Sequence, residues 1–352
     1  MNNDAVNTYY TFTNNGTNFT SSDAKTTSTP ASWYAYFPDN EVSLANQTGD
    51  FSNVANYYAL SGSTSATTTG IEGLSINMTP QVAVLRIVKT NNSDECDINV
   101  KIGDNWVSSL TAKTNEVGFN VTTSTSKVSL LNKNGDAAGT YYYVAVPAGV
   151  KIAIYNGDTH LKSTKEAGLT AGKYYTITTA PVSGKQEATI DGKAEPIEWV
   201  QLWAGGPKFA TKNVAKKMLW DEAIKTGDNY VWGKNWQTPT KEEMSGFVKV
   251  DSLGYQVLNT DNVKAVYKQK DGVWGMEFTG VQPGYTKSTL FFPASDNDKN
   301  NYHANYLTSS EGVSGWASSF DYSIDPESKI SCYISLITGK NTAYYVRPVL
   351  AN

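Results

Sequence analysis

A short run of residues, Pro239-Thr-Lys-Glu-Glu-Met244, strongly favours one local structure, a helix that begins at Thr240. Thr240 can serve as the N-cap, and Glu243 stands three residues later, where a capping box requires Glu or Gln. Pro239 prevents an earlier start, because its ring disfavours the α region for the residue before it. The apolar residues that follow recur at the i, i+3, i+4 spacing of a buried helix face: Met244, Phe247 and Val248.

The length and charge of the chain limit the functions it can have. At 352 residues we expect two domains, each with enough chain for its own core. The net charge is -4, and Arg86 and Arg347 are the only arginines. We therefore expect no nucleic-acid partner, because phosphate-binding and base-reading arginines are nearly absent.

The composition points to the cell surface rather than to a membrane span. No run of about 18 apolar residues occurs, so we expect no spanning segment. Low charge with abundant Thr, Ser, Asn, Gly and Tyr is typical of an all-β surface protein. The first residues, Met1-Asn-Asn-Asp4, are not a signal peptide. We expect an exported protein whose signal has been removed and to which Met1 has been added.

Catalytic and metal-binding patterns are weak. The two histidines, His160 and His303, fall in different halves of the chain and outside any metal-spaced cluster. Cys332 lies on the apolar side of the alternating run 330–336, which indicates a buried structural thiol. Cys96 lies in a polar run, which indicates a loop or strand edge, and we expect no disulfide between the two cysteines. We predict no catalytic residues, no metal site and no cofactor.

The first half of the chain has the pattern of short strands separated by turn residues. Asn156-Gly157 is a strong hairpin signal. Alternating apolar residues predict strands at 82–89 (with Arg86 on the exposed face), 97–103, 141–147, 150–155 and 169–178. Many strands at such close spacing predict a Greek-key β-sandwich.

The sequence pattern changes after the polar stretch 180–186, which suits a linker. Seven of the nine tryptophans follow residue 190. Helical windows come next, at 213–225 and at the capped helix. Strands follow at 273–278, 289–293, 315–322, 329–337 and 343–350.

Three pieces of the second half carry a resemblance: Trp232-Gly-Lys-Asn-Trp-Gln-Thr-Pro-Thr-Lys-Glu-Glu-Met244, Tyr306-Leu-Thr-Ser-Ser-Glu311 and Tyr344-Tyr-Val-Arg-Pro-Val349. In this order and at these distances they resemble the C-type lectin-like module common in surface proteins of Bacteroides-type bacteria. The resemblance begins near Trp199 and implies the fold of that module. It implies much less about activity, because this fold hosts adhesins, sugar binders and enzymes.

A second resemblance rests on three segments of the first half: Trp33-Tyr-Ala-Tyr-Phe-Pro38, Tyr141-Tyr-Tyr-Val-Ala-Val-Pro147 and Leu169-Thr-Ala-Gly-Lys-Tyr-Tyr-Thr176. They resemble the fimbrillin family of Bacteroides-type fimbriae. The resemblance implies a transthyretin-like sandwich, export as a lipoprotein, and polymerisation by donating a strand to a neighbour. A generic secreted β-sandwich remains the alternative.

We therefore predict a mainly β chain with an α+β part. A Greek-key, transthyretin-like β-sandwich should occupy residues 1–182, followed by a linker over residues 183–195. A C-type lectin-like domain with two short helices should occupy residues 196–352.

Calcium-dependent sugar binding would need a further motif. The lectin resemblance asks for Glu-Pro-Asn or Gln-Pro-Asp, followed by Trp-Asn-Asp. The nearest matches, Glu195-Pro-Ile197 and Gln282-Pro-Gly284, lack the third ligand. The run 295–301 offers oxygen ligands, but it also has the composition of a solvated loop tip. We expect no calcium-dependent site.

A ligand-binding surface is predicted at the long polar loop 294–305, because loops on a rigid scaffold commonly carry recognition. Carboxylates, amides and aromatic rings suit a glycan, whose hydroxyls need polar partners and whose ring faces pack on aromatics. Trp274 lies close to this loop in sequence and could stack on a sugar ring. It also alternates with Met276 and Phe278, and this pattern favours a place in the hydrophobic core. The predicted contact residues are Asp296, Asn297, Asp298, Tyr302, His303, Tyr285 and Trp316.

The two resemblances together imply a cell-surface or fimbria-associated adhesin, as a tip or accessory subunit. Its partners would be other fimbrial subunits, joined by strand donation, and an extracellular glycan or protein. The fimbrillin resemblance implies maturation by cleavage after a basic residue behind the first strand, and Lys25, the only Lys or Arg before Arg86, is the candidate residue; an ordinary surface lysine is the alternative. The alternatives are a non-polymerising outer-membrane glycan-capture protein and a structural stalk subunit.

Overall fold

The computed structural model describes residues 2–3, 8–9, 11, 13–14, 19–20, 32–38, 40–65, 75–252, 256–294, 302–324 and 330–351. Strands dominate this part of the chain, which confirms the expectation of a mainly β protein. The chain divides into two compact units, Met1–Ala180 and Pro181–Asn352, and each has its own hydrophobic core. In the described ranges, no helix is long and apolar enough to cross a membrane.

The first unit is built from short strands and one 3-10 helix, Phe51–Tyr57. The strands are β1 Asn2–Asn3, β2 Thr8–Tyr9, β3 Thr13–Asn14, β4 Phe19–Thr20, β5 Ser32–Phe37, β6 Glu41–Ser43, β7 Leu60–Ser65, β8 Thr79–Pro80, β9 Val82–Val88, β10 Cys96–Ile102, β11 Asn105–Ala112, β12 Phe119–Ser124, β13 Leu131–Lys133, β14 Tyr141–Pro147, β15 Ala153–Asn156, β16 Thr159–Ser163 and β17 Tyr174–Thr178.

Two sheets of the first unit share one core. The larger has the path β12-β11-β10-β15-β16, with β13 and β6 attached, and the smaller has the order β14-β9-β17. Strands β9 and β14 pair antiparallel over seven residues, whereas β9 and β17 pair parallel. Apolar side chains from β9, β10, β11 and β14 are fully buried together, for example Leu85, Ile98, Val107 and Val144.

Local sequence signals explain several of these strands. The Asn156-Gly157 signal is confirmed as the β15–β16 hairpin, where Gly157 adopts a positive φ of 57°. The polar run around Cys96 indicates a loop or strand edge, and Cys96 is the first residue of β10. Its side chain is completely buried, and burial raises the pKa of its thiol to about 12.

The second unit contains strands and two four-residue helices, α1 Trp220–Ala223 and α2 Lys241–Met244. Two 3-10 helices, Gly227–Asn229 and Ser245–Phe247, also occur there. The strands are β18 Ser183–Ile190, β19 Lys193–Gln201, β20 Lys208–Ala210, β21 Trp236–Gln237, β22 Lys249–Val250, β23 Gln256–Val257, β24 Val263–Lys270, β25 Val273–Gly280, β26 Thr289–Pro293, β27 Tyr302–Glu311, β28 Ala317–Ile324, β29 Ile330–Thr338 and β30 Val349–Leu350.

Three sheets of three or more strands form the frame of the second unit. Their orders are β18-β19-β20-β30-β21, β24-β25-β26 and β27-β28-β29. The capped helix α2 and the turn after it carry Phe247 into the core, where its ring lies 4.6–5.4 Å from those of Trp203, Phe209, Phe278, Phe292 and Phe320. The capping box fixes where this buried face begins, as the sequence predicts.

The predicted helix at 213–225 is mostly wrong. Only Trp220–Ala223 is helical, because the residues before it pair with the C-terminal segment instead. Val214 N donates to Val346 O at 3.0 Å, and Met218 and Tyr344 exchange backbone hydrogen bonds. Long-range pairing with a distant segment here overrides the local helical periodicity.

Residues 183–195, predicted as a linker, instead belong to the β18–β19 hairpin. Glu187 O on β18 accepts a hydrogen bond from Trp236 Nε1 at 3.1 Å, and Thr189 N donates to Trp232 O at 3.0 Å. The hairpin is therefore part of the second unit, and its polar composition reflects an edge strand rather than a connector.

Candidate functional site

Of the loop predicted to bind a ligand, 294–305, the structure describes Ala294 and the residues from Tyr302 onward. Ala294 N donates to Trp274 O at 2.8 Å, which joins Ala294 to β25. Tyr302 pairs with Ile324 at the beginning of the β27–β28 hairpin, and His303 follows with an exposed side chain. The predicted contact residues Asp296, Asn297 and Asp298 lie outside the described residues.

The sheet β27-β28-β29 continues from this loop and has one polar face. Residues that stand directly opposite each other across neighbouring antiparallel strands share a face. Asn305 stands opposite Asp321, and Asp321 stands opposite Tyr333. Alternation along the strands therefore places one set of mostly polar residues on this face: His303, Asn305, Ser319, Asp321, Ser323, Ser331 and Tyr333. We call this set the polar face. At the Ser319 end the face is closed by Leu307, which stands opposite Ser319 and is completely buried.

Asp321 is the centre of the polar face. Its Oδ1 accepts a hydrogen bond from Ser319 Oγ at 2.6 Å, and Ser319 Oγ is also 2.6 Å from Thr338 Oγ1. Burial raises the pKa of the Asp321 carboxyl, although hydrogen bonds from Ser319 and Asn305 and the charge of His303 oppose this rise. The pKa of Tyr333 is raised as well, first by burial and then by the Asp321 charge. Ser319 is completely buried and Asp321 is only 6% exposed, so this pair supports the face from beneath. The side chains that a ligand can reach are those of His303, Asn305, Ser331 and Tyr333.

The opposite face of the same sheet is the hydrophobic core, which fixes the polar face in place. Tyr306 and Tyr322 are fully buried there, and Tyr322 OH donates to Phe292 O at 2.8 Å. Arg347 is buried beside them and donates to Ala210 O at 3.0 Å and to Phe291 O at 2.8 Å. Arg347 thus has a structural role, with backbone carbonyls as its acceptors.

Tyr285 does not belong to a surface that a ligand can reach. Its side chain is completely buried, so its ring has no face for stacking. A tight turn causes this burial, because Tyr285 N donates to Gln282 O and Ser288 N donates to Tyr285 O. Sequence proximity to the loop had suggested an exposed ring.

Trp316 is exposed, but it lies at the wrong end of the hairpin to join the loop. Its side chain is 46 % exposed in the β27–β28 turn, where Trp316 N donates to Val313 O at 2.9 Å. Tyr302 and His303 lie at the other end of β27, which has 10 residues and is therefore about 30 Å long. The structure brings His303 to the polar face and leaves Trp316 apart.

The aromatic pair nearest the start of the loop is Trp274 with Tyr267. Their rings are stacked, with centroids 5.1 Å apart and planes inclined by 10°. Met276 and Phe278, on the same face of β25 as Trp274, are completely buried, whereas Trp274 is half-buried. Trp274 therefore extends the core outward, as its alternating pattern indicates.

Other candidate features lie elsewhere. A shallow hollow of about 270 Å³ is lined by Gln186, Lys234, Asn235, Leu350 and Ala351, none of which is a predicted contact residue. In the described part of the chain, no group of three or more His, Cys, Asp or Glu residues is arranged to hold a metal ion. The maturation candidate Lys25 lies outside the described residues.

Sequence reasoning did not identify Asp321, Asn305, Ser319 and Tyr333 as neighbours. A signal was present, because β28 alternates strictly between Ser319, Asp321 and Ser323 on one side and Phe320 and Tyr322 on the other. Alternation shows that Asp321 shares a face with the serines. It does not show which strands flank it.

Comparisons with known proteins add little. No protein-family model matches the chain, and no curated protein matches it. A protein from Bacteroides uniformis that is provisionally described as a cell adhesion protein is similar to part of the structure, with a TM-score of 0.28 and 14% sequence identity. That match covers 52% of this chain and 78% of the other.

Proposed function

We propose that this protein is a cell-surface, fimbria-associated adhesin whose second unit recognises an extracellular glycan or protein. The first unit would attach the subunit to an assembly, and the second would face outward. A unit that recognises a ligand, joined to a unit that attaches to the assembly, suits a tip or accessory subunit. Its place would be the extracellular surface, as part of a fimbria or on the outer membrane.

The observation that carries the proposal is the polar face around Asp321, which begins at His303, one of the predicted contact residues. Within three paired strands the face offers the exposed imidazole of His303, the half-buried amide of Asn305, the hydroxyl of Ser331 and the exposed ring of Tyr333, with the buried carboxylate of Asp321 beneath them. Such convergent polar groups on a rigid scaffold are typical of recognition sites for ligands rich in hydroxyls. No catalytic step, cofactor or essential metal is assigned to this surface.

The finer fold assignments belong to the same proposal. The first unit would be a transthyretin-like Greek-key sandwich, and the two sheets that share one core support this. The second would be a C-type lectin-like domain. Its two short helices precede the late strands, and the confirmed capping box at Thr240 supports this assignment.

The first unit would join other subunits by strand donation after cleavage of the N-terminal arm at Lys25. The support is the isolation of Lys25 in a polar stretch, which suits an accessible maturation site. Brief trypsin treatment of the folded protein, followed by mass spectrometry, tests this step. We expect first cleavage after Lys25, and first cleavage elsewhere with Lys25 intact would contradict it.

The main alternative is an outer-membrane glycan-capture protein that does not polymerise, and a structural stalk subunit is third. Co-purification of the native protein with fimbriae separates the first two. We expect the protein in purified fimbriae at a low ratio to the main subunit. A ratio near that of the main subunit would favour the stalk role, and absence from fimbriae would favour glycan capture.

A printed array of mammalian and bacterial glycans tests recognition directly. We expect binding that persists in EDTA and that weakens clearly in the double variant Tyr302→Ala/Asp298→Ala. Each lost hydrogen bond to a neutral partner should contribute only about 0.5–1.5 kcal/mol, so the double change is needed. Unchanged binding by the double variant would remove the loop from the site. Loss of binding in EDTA would show a calcium-dependent site instead.

A further inference from the structure

An exposed aromatic surface surrounds Arg86 on the first unit, outside the site described above. Phe51 is 57 % exposed, Tyr174 is 52 % exposed and Tyr141 is 40 % exposed. The Phe51 ring lies 5.0 Å from that of Tyr143 and 6.1 Å from that of Tyr174, measured between centroids. Large exposed apolar groups that cluster in this way commonly mark a binding surface.

Strand register places Arg86 in the middle of these rings. Arg86 lies on the central strand β9, directly opposite Tyr143 on β14 and Thr176 on β17. Tyr141 stands opposite Val88, and Tyr174 stands opposite Val84. The two exposed tyrosines are therefore on the same face as Arg86, on opposite sides of it, about 16 Å apart across the sheet.

The guanidinium of Arg86 is held in place but keeps unused donors. Its Nε and one terminal nitrogen both donate to the same acceptor, Thr176 Oγ1, at 3.1 and 2.9 Å. The ring of Tyr141 lies 5.6 Å from its central carbon. In the described part of the chain, Arg86 forms no ion pair with a carboxylate. A guanidinium has five N–H donors in a planar fork, so part of this fork is free for an incoming anion.

We propose that this surface binds a saccharide that carries a carboxylate, with Arg86 binding the carboxylate and the flanking rings of Tyr141 and Tyr174 packing on sugar rings. In the part of the chain that the structure describes, the positive charge of Arg86 is not paired with a carboxylate, which favours an incoming anion, and an arginine fork matches the geometry of a carboxylate. The tyrosines offer flat apolar faces with a polar rim, which suits a ring that has one apolar face and many hydroxyls.

The layout favours a short oligosaccharide over an acidic peptide. The two exposed tyrosine rings, with the Arg86 cation between them, fit an oligosaccharide in which one sugar unit, inner or terminal, carries the charge. An acidic peptide would gain from several cations, whereas the described residues place one arginine among these rings. The carboxylated sugar can be a hexuronate or a sialic acid, and the experiment separates these two sources.

The test is ligand-observed NMR titration of the full chain with four saccharides and one peptide. Trigalacturonate and 3′-sialyllactose carry the carboxylate, and the methyl ester of trigalacturonate and lactose are their uncharged counterparts. Tetraglutamate represents an acidic peptide. We expect at least one carboxylated saccharide to bind about tenfold more tightly than its uncharged counterpart and than tetraglutamate. Which one binds identifies the source.

Variants connect the binding to these residues. Arg86→Gln should remove the preference for the carboxylated saccharide, and Arg86→Lys should lose most of it, because a lysine keeps the charge but not the fork. Tyr174→Ala should weaken binding of the charged and uncharged forms alike. The matched control is Lys101→Gln, which removes one positive charge from the same unit at a site where the ammonium lies 4.2 Å from the Trp106 ring centroid. This control should change affinity less than twofold. Thermal melting of each variant checks that it is folded.

Three results would overturn the proposal: no preference for the carboxylated saccharide in either of the two pairs, stronger binding of tetraglutamate, or no saccharide binding at all. Unchanged preference in a folded Arg86→Lys or Arg86→Gln variant would do the same. The outcome is independent of the second unit, because the double variant Tyr302→Ala/Asp298→Ala should leave these titrations unaltered.

Discussion

Thr240 and Glu243 satisfy each other's backbone N–H groups at the start of helix α2. Thr240 Oγ1 accepts from Glu243 N at 3.1 Å, and Glu243 Oε2 accepts from Thr240 N at 2.7 Å. This reciprocal pair fixes the residue at which the helix begins, and Phe247 then enters the core at a fixed position.

Removal of the cap should weaken the second unit. We expect Thr240→Ala to lower the free energy of unfolding by about 1 kcal/mol, because the Glu243 backbone N–H loses its acceptor. The transition of this unit should shift down by about 2–4 °C in thermal melting. Thr240→Ser keeps the acceptor oxygen and should melt close to the parent. Equal melting of the Ala and Ser variants would contradict the role of the cap.

The buried amine of Lys89 should destabilise the first unit. Lys89 is fully buried, and its Nζ has no hydrogen-bond partner in the described part of the chain. Replacement by Met keeps the shape and removes the unsatisfied group, so Lys89→Met should raise the free energy of unfolding by about 1–3 kcal/mol. Denaturant unfolding measures this. Lys173→Met, at an exposed position, is the control and should have little effect. Destabilisation by Lys89→Met would show that the amine has a partner.

Asp321 should make the second unit less stable as the pH rises. Because burial raises the pKa of this carboxyl in the native state, the folded protein binds its proton more tightly than the unfolded chain does. The resulting stabilisation is present below the unfolded pKa of about 3.9 and is lost as the pH rises through the raised native value. Asp321→Asn should therefore melt higher than the parent at pH 7, and the difference should vanish near pH 4.

A surface aspartate provides the comparison for this pH dependence. Asp261→Asn changes a carboxylate whose side chain is 91% exposed and which forms only a surface pair with Lys249 at 3.4 Å. Such pairs contribute little, so melting of this variant should follow the parent at every pH. A pH profile of Asp321→Asn that runs parallel to the parent would show that Asp321 is not protonated preferentially in the native state.

The β18–β19 hairpin should be essential to the second unit. We expect the fragment 181–352 to fold alone with a cooperative thermal transition and a near-ultraviolet circular dichroism signal. The fragment 196–352 should aggregate or melt much lower, because it loses β18 and the hydrogen bonds that Trp232 and Trp236 make with it. Equal stability of the two fragments would show that residues 183–195 contribute nothing to the second unit and act as a linker.

Elements with a strong local signal could be predicted from the sequence. The capping box at Thr240 and the Asn156-Gly157 turn have chemistry that a few neighbouring residues decide, and both appear as expected. The helix predicted at 213–225 failed, because Val214 and Met218 bond to residues more than a hundred positions away. The prediction of a linker at 183–195 failed for a similar reason, since these residues form a hairpin that hydrogen-bonds to Trp232 and Trp236, which are distant in sequence.

The candidate site could be predicted only in part. His303 was found because it is a rare polar residue beside a long loop. Tyr285 and Trp316 were close to that loop in sequence, but a tight turn buries Tyr285 and a ten-residue strand separates Trp316 from the loop. To predict that Asp321 and Tyr333 are neighbours, one must know the pairing register of β28 with β29. Alternation along one strand does not determine that register.

Adhesion of protein-coated fluorescent beads to cultured epithelial cells tests the recognition role of the second unit most directly, because it detects both glycan and protein ligands. The account predicts that the parent chain adheres and that His303→Ala/Tyr333→Ala, which changes two exposed residues of the polar face, strongly reduces adhesion without changing the melting temperature. Trp316→Ala, at the far end of the same hairpin, should adhere like the parent. Full adhesion by the double variant, loss of adhesion by Trp316→Ala alone, or no adhesion by the parent would contradict the account.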